Sequence, residues 1–171
     1  MLRVILIPFF VFFLLTDYVG TAGKWIALGI FAAASLTDML DGQIARRRNL
    51  ITNFGKFMDP IADKLLVCSA LIAFVQLGLM PAWIVIILIA REFIVSGFRL
   101  VASDVGIVLA AGWWGKFKTA FQMIMCIMLI INLDCKAADI AEQVLIYISL
   151  TLSVISMVDY LVRNRKVISD M

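Results

Sequence analysis

Histidine is absent from all 171 residues, and this gap excludes a good deal of chemistry. Without an imidazole there is no Ser-His-Asp triad, no histidine proton shuttle and no histidine-ligated zinc. Cysteine is scarce: Cys68, Cys126 and Cys135 stand alone, with no Cys-x-x-Cys spacing. Cys68 and Cys126 fall in apolar runs, where a thiol reads as a small buried hydrophobe and not as a redox centre. Charged side chains make up only 16% of the chain and leave a net charge of +3. Bulk charge therefore singles out no partner, and nucleic acid is not expected as one. Repeats, low-complexity stretches and flexible linkers are missing too.

What is abundant is apolar surface. The chain is 64% hydrophobic with a mean hydropathy of +1.06, values of a protein that crosses a membrane several times. A spanning helix needs roughly 20 apolar residues. Apolar stretches fall at 4–20, 24–40, 60–79, 82–103, 117–133 and 140–161. Backbone polar groups have no partner in hydrocarbon, so each stretch should be helical. The expected fold is an all-α integral membrane bundle of six transmembrane helices, one catalytic domain over 1–171. The run beginning Val4-Ile5-Leu6-Ile7-Pro8 is long for the core of a signal peptide, so it is taken as a retained first span.

Orientation follows from the lysines and arginines. With both termini in the cytoplasm, every one except Lys24 and Lys136 falls on the cytoplasmic side, a strong positive-inside pattern. Arg91 and Arg99 lie inside the fourth apolar stretch, and the asymmetry survives without them. Trp25, Trp83, Trp113 and Trp114 lie near span ends, where indole favours the interface. The cell membrane, crossed repeatedly, is the expected location.

Against this background four carboxylates stand out: Asp38, Asp41, Asp59 and Asp63 sit where the second and third apolar stretches meet. Carboxylates gathered at a membrane edge are costly and need neutralising charge. At about 100° per residue, Asp38, Asp41, Gly42 and Ala45 share one helical face. Asp59 and Asp63, a turn apart, share another. Two helices joined by a basic loop can thus aim all four carboxylates at one pocket. An all-oxygen donor set suits Mg2+ or Mn2+, and a pair of ions would match the two-metal logic of phosphoryl transfer. The plainer reading pairs the aspartates with Arg46, Arg47, Arg48, Lys56 and Lys64. The small residues Gly42, Ala45 and Gly55 allow either close helix packing or close approach of a phosphorylated ligand, and the two are compatible. Asp59 precedes Pro60, so it either caps a helix starting at Pro60 or lies in a helix beginning nearer Gly55.

Residues 38–63 read Asp-x2-Asp-Gly-x2-Ala-Arg-x8-Gly-x3-Asp-x3-Asp. This resembles the signature of the CDP-alcohol phosphotransferases at every fixed position. Arg3 with Pro8, Ala90-Arg91-Glu92, Ser96, Arg99 and Gly115-Lys116-Phe117-Lys118-Thr119 are similar to the branch that makes phosphatidylglycerol phosphate. That branch usually carries an Asn- and Pro-bearing stretch ahead of the position matched by Arg3, and the sequence shows none. The resemblance implies CDP-diacylglycerol and sn-glycerol 3-phosphate as substrates, a six-helix bundle with its active site at the cytoplasmic side, and a homodimer. By matching position it implies that Asp38, Asp41 and Asp59 ligand the metals, that Asp63 is ligand and general base, and that Gly42, Ala45, Arg46 and Gly55 line the cytidine diphosphate site.

Elementary chemistry agrees with these roles. An attacking hydroxyl must lose its proton, and with no histidine a carboxylate is the natural base. A phosphorylated acceptor needs a cationic pocket. Arg91 and Arg99 are two turns apart near one helix face, Lys116 and Lys118 open the next span, and Glu92 can brace a basic neighbour. Snorkelling explains the arginines less well, and positive-inside placement explains the lysines about equally. Two alternatives compete. A sibling enzyme would use another alcohol, such as an inositol phosphate, serine or phosphatidylglycerol. A divalent-cation transporter would place its carboxylates near the midplane of repeated, broken helices, which this pattern does not do.

Overall fold

The computed structural model describes residues 2–16, 20–48, 53–104, 112–133 and 135–164, with backbone alone at 2, 3, 21, 36–48, 53–63, 103 and 104. Among the described residues there are six helices and no strand. They are α1 (Leu2–Leu15), α2 (Thr21–Arg48), α3 (Asn53–Gln76), α4 (Ala82–Asp104), α5 (Trp113–Ile131) and α6 (Lys136–Arg163). At 1.5 Å per residue they run from about 21 Å for α1 to about 42 Å for α2 and α6. Two of them, α5 and α6, are long and apolar enough throughout to cross a membrane. Shorter apolar segments occupy Val4–Leu15, Ala22–Ser35 and Lys64–Gln76.

Helix limits differ from the apolar stretches in an instructive way. The second helix continues to Arg48 and the third starts at Asn53, well beyond their apolar parts. Hydropathy marks only what hydrocarbon would cover, whereas helical hydrogen bonding continues through polar residues. Conversely, α1 stops at Leu15, short of the end of the 4–20 stretch, where Thr16 and Asp17 follow in the sequence. The chain then turns at Gly20, whose φ of 57° lies in the left-handed region. Gly23, in the first turn of α2, lies so close to α1 that a Cβ there would meet the Phe13 carbonyl oxygen at 3.0 Å. At the end of α3 the Leu79 amide donates to the Phe74 carbonyl at 2.9 Å and the Gly78 amide to the Val75 carbonyl at 3.1 Å. That is a Schellman closure around a glycine, and Pro81 follows to prevent the helix resuming.

The chain divides into two compact units. The first comprises residues 1–79 and 129–132, the second 80–128 and 133–171. In the first, α1 packs on both α2 and α3, and α2 touches α3. Its core holds Phe10 and Phe31, ring centroids 5.5 Å apart, with Ala27, Ala34, Leu66 and Phe74 buried. The alanines bring the backbones close, which suits helices that associate by packing in lipid. In the second unit α4 packs on α6. Leu88, Val95, Met125 and Ile146 are buried there, but so are Arg91, Lys118, Gln122, Glu142, Ser149, Ser153 and Ser156. A membrane protein with so polar an interior has a site there to explain.

Candidate active site

The carboxylate signature falls on two helical segments. Asp38, Asp41, Gly42, Ala45 and Arg46 belong to the last turns of α2, and Gly55, Asp59 and Asp63 to the first half of α3. Because α3 starts at Asn53, Asp59 lies inside a helix and does not cap one that begins at Pro60. The helical spacing assumed for both segments therefore holds at the backbone. All eight side chains lie outside the described residues, as do the proposed metal ligands with them. Among the described residues no group of three potential metal-ligating side chains occurs.

The cationic candidates lie in the second unit and are described in detail. Arg91 is on the inward face of α4, in register with Ile84, Leu88 and Val95, and is only 7% exposed. Its Nη1 donates to Glu92 Oε1 at 3.3 Å, and its Nη2 donates to the Ser156 hydroxyl on α6. Lys118, on α5 and 3% exposed, forms an ion pair with the same Glu92 oxygen. One carboxylate thus holds two cations from two helices, and a serine ties the arginine to a third. Glu92 braces Arg91 and Lys118 together, more than the single partner expected from the sequence.

Arg99 is two turns further along α4 and largely exposed. Its guanidinium carbon stands 5.6 Å from the centroid of the Tyr160 ring, which Phe98 meets edge-on at 5.8 Å. Tyr160 is one turn beyond Ser156, so the two arginines engage successive turns of α6. Lys116 takes no part in this cluster among the described contacts. It is exposed and sits 5.1 Å from the centroid of the Trp113 ring, at the start of its own helix. Of the four expected phosphate-binding cations, the structure brings Arg91 and Lys118 together on Glu92, sets Arg99 of α4 over Tyr160 of α6 and gives Lys116 an aromatic neighbour.

Electrostatics follow from counting the charges. Arg91, Lys118 and Arg99 carry three positive charges against one negative charge on Glu92. The nearby Asp159 carboxylate is already engaged by Arg163 at 2.7 Å. Among the described side chains the cluster thus carries more positive than negative charge, a balance that suits an anionic ligand such as a phosphate monoester. Arg91 Nε is buried without a hydrogen-bond partner, as are Gln122 Nε2, Glu142 Oε1 and the Ser149, Ser153 and Tyr160 hydroxyls; of these only Arg91 Nε belongs to a cation. Orphaned buried donors are uncommon and demand a reason.

Sequence reasoning missed the contribution of α6. Its buried face runs Ala138, Glu142, Ile146, Ser149, Ser153, Ser156, Tyr160, a three-four spacing in which Glu142 and the three serines are polar. That pattern was visible in the sequence, but small hydroxyl residues in an apolar helix are ordinarily packing residues, and nothing local tells which of them meets an arginine.

Comparison with known proteins adds the following. Residues 1–155 match the family model described as CDP-alcohol phosphatidyltransferase. The chain is 48% identical over 132 residues to the CDP-diacylglycerol–glycerol-3-phosphate 3-phosphatidyltransferase of Bacillus subtilis (strain 168), covering 71% of this chain and 68% of that protein. It is 40% identical over 166 residues to the protein of the same name from Haemophilus influenzae, covering 93% and 86%. A probable phosphatidylglycerophosphate synthase of Mycobacterium tuberculosis is 38% identical over 166 residues, covering 95% of this chain and 78% of that one.

Proposed function

Since the chain belongs to the CDP-alcohol phosphatidyltransferase family, we propose that it transfers the phosphatidyl group of CDP-diacylglycerol to sn-glycerol 3-phosphate, forming phosphatidylglycerol phosphate and CMP. The observation that favours a phosphorylated acceptor is the cluster on α4, α5 and α6, and the names of the similar proteins favour glycerol 3-phosphate among such acceptors. Among the described side chains, an excess of positive charge and an arginine Nε without a partner suit a phosphorylated alcohol, and a neutral one such as serine has less use for them.

In this reading the acceptor's phosphate is held by Arg91, Lys118 and Arg99, with Lys116 contributing long-range attraction. Asp38, Asp41, Asp59 and Asp63 would hold Mg2+ or Mn2+, one ion or two. The fit rests on the donor set: four hard oxygen ligands at helical spacing on two helical segments. Such ions, when bound, offset the negative charge of the diphosphate and of the departing CMP. Gly42, Ala45, Arg46 and Gly55 line the cytidine diphosphate site. Asp63 takes the proton from the acceptor hydroxyl as its oxygen attacks the phosphorus that carries the lipid. The bond from that phosphorus to the CMP oxygen breaks, and the lipid phosphate stays in the product.

The same reading places the whole chain, 1–171, in the cell membrane as one six-span catalytic domain with termini and active site on the cytoplasmic side, working as a homodimer. Its test is CMP release by the purified protein with CDP-diacylglycerol and Mg2+ or Mn2+, with acceptors varied. Glycerol 3-phosphate should be the preferred acceptor. Release of CMP with serine or inositol phosphate, and none with glycerol 3-phosphate, would overturn the assignment.

A further inference from the structure

We propose that Ser156 is a positioning residue for acceptor recognition: its hydroxyl orients the Arg91 guanidinium so that the Nε–Nη2 edge meets the acceptor's phosphate. The inference rests on the phosphorylated-acceptor reading above and goes beyond it by assigning a role on α6. Several hydroxyls elsewhere in the helices turn back on their own backbone, and the buried Ser149 and Ser153 hydroxyls, earlier on α6, have no hydrogen-bond partner. Ser35 donates to the Phe31 carbonyl, Thr119 to Gly115 and Thr151 to Tyr147, each four residues back and 2.8–2.9 Å away. That local bond is the ordinary fate of a hydroxyl in a helix. Ser156 instead accepts from Arg91, 65 residues away, and is 4% exposed.

Geometry gives this bond its consequence. Glu92 adjoins Arg91 on the same helix and contacts only Nη1, at 3.3 Å. A guanidinium held at one terminal nitrogen by its own neighbour can still swing. A second fixed point on Nη2, supplied by another helix, sets its plane. What remains is Nε, buried and unpartnered, beside the second N–H of Nη2. These two parallel donors form the side-on fork that binds two oxygens of an oxyanion. On the α5 side Ser156 faces Gly115, where an added Cβ would stand in ordinary contact with the hydroxyl oxygen at 3.9 Å.

The test is steady-state kinetics of the full-length enzyme in both substrates, combined with a double-mutant cycle. Ser156→Ala should raise KM for glycerol 3-phosphate about tenfold, the loss of one hydrogen bond to a charged group, and leave KM for CDP-diacylglycerol unchanged. Ser156→Thr, which keeps the hydroxyl, should recover most of the loss. In an Arg91→Ala background the serine substitution should add nothing. Ser156→Cys, close in size and a poor acceptor, asks the same question if the alanine variant does not fold. The proposal is overturned if Arg91→Ala raises the acceptor KM while Ser156→Ala and Ser156→Cys do not, or if both substrates' KM values rise together. Should Arg91→Ala itself leave the acceptor KM unmoved, the failure belongs to the phosphorylated-acceptor reading and takes the positioning role with it.

Discussion

Glu92 carries particular consequence among the described side chains, because it pairs with two buried cations at once. Glu92→Gln removes the negative charge that Arg91 and Lys118 share among the described residues. Breaking an enclosed ion pair by deleting one partner costs about 3–5 kcal/mol when burial is complete. Glu92 is 17% exposed, so about 2 kcal/mol is the expected loss, read as a lowered midpoint of thermal unfolding in detergent. The Arg163–Asp159 pair is a contrast: Arg163 is 62% exposed, and Arg163→Ala should change stability by less than about 0.5 kcal/mol. Equal losses in the two variants would show that Glu92 is not the hub described. Arg99→Ala belongs to the same scale. It should weaken use of glycerol 3-phosphate far more than binding of CDP-diacylglycerol, and unchanged acceptor kinetics would remove Arg99 from the site. The carboxylate assigned as base is tested by Asp63→Asn, which should abolish CMP release; a variant with near-normal turnover would require another base.

At the scale of the element, close packing of α1 on α2 sets a limit that hydropathy does not express. Gly23→Leu places a branched side chain where even a Cβ would stand 3.0 Å from the Phe13 carbonyl. The backbone cannot move aside cheaply, so the two helices must part. Loss of at least about 2 kcal/mol is expected, measured by unfolding in detergent. A variant of wild-type stability would mean that α1 does not hold this position. Legibility also varied by element. The fourth apolar stretch, 82–103, nearly coincides with α4, Ala82–Asp104, because Pro81 starts that helix unambiguously. The ends of α2 and α3 were less legible, since their polar turns carry no hydropathy signal yet continue the helical hydrogen bonding.

Orientation belongs to the whole molecule, and the chain's own cysteines supply a probe. Cys135 is exposed, just before α6, whereas Cys68 and Cys126 are buried. With both termini in the cytoplasm, Cys135 faces the outside. A membrane-impermeant maleimide should therefore label intact cells or right-side-out vesicles at that one residue, and Cys135→Ser should abolish the signal. Labelling only after the membrane is opened would reverse the assigned topology.

The carboxylate signature, the apolar stretches and the absence of histidine are one-dimensional facts. They were enough to point to the family and to propose aspartates for its chemistry, because donor type and helical spacing are local properties of a chain. Ser156, the shared hold of Glu92 on Arg91 and Lys118, and the separation of Lys116 from that group depended on how α4, α5 and α6 meet. No local pattern encodes which turn of one helix faces which turn of another. Packing selects those neighbours, and with them the side chain that holds an arginine in place.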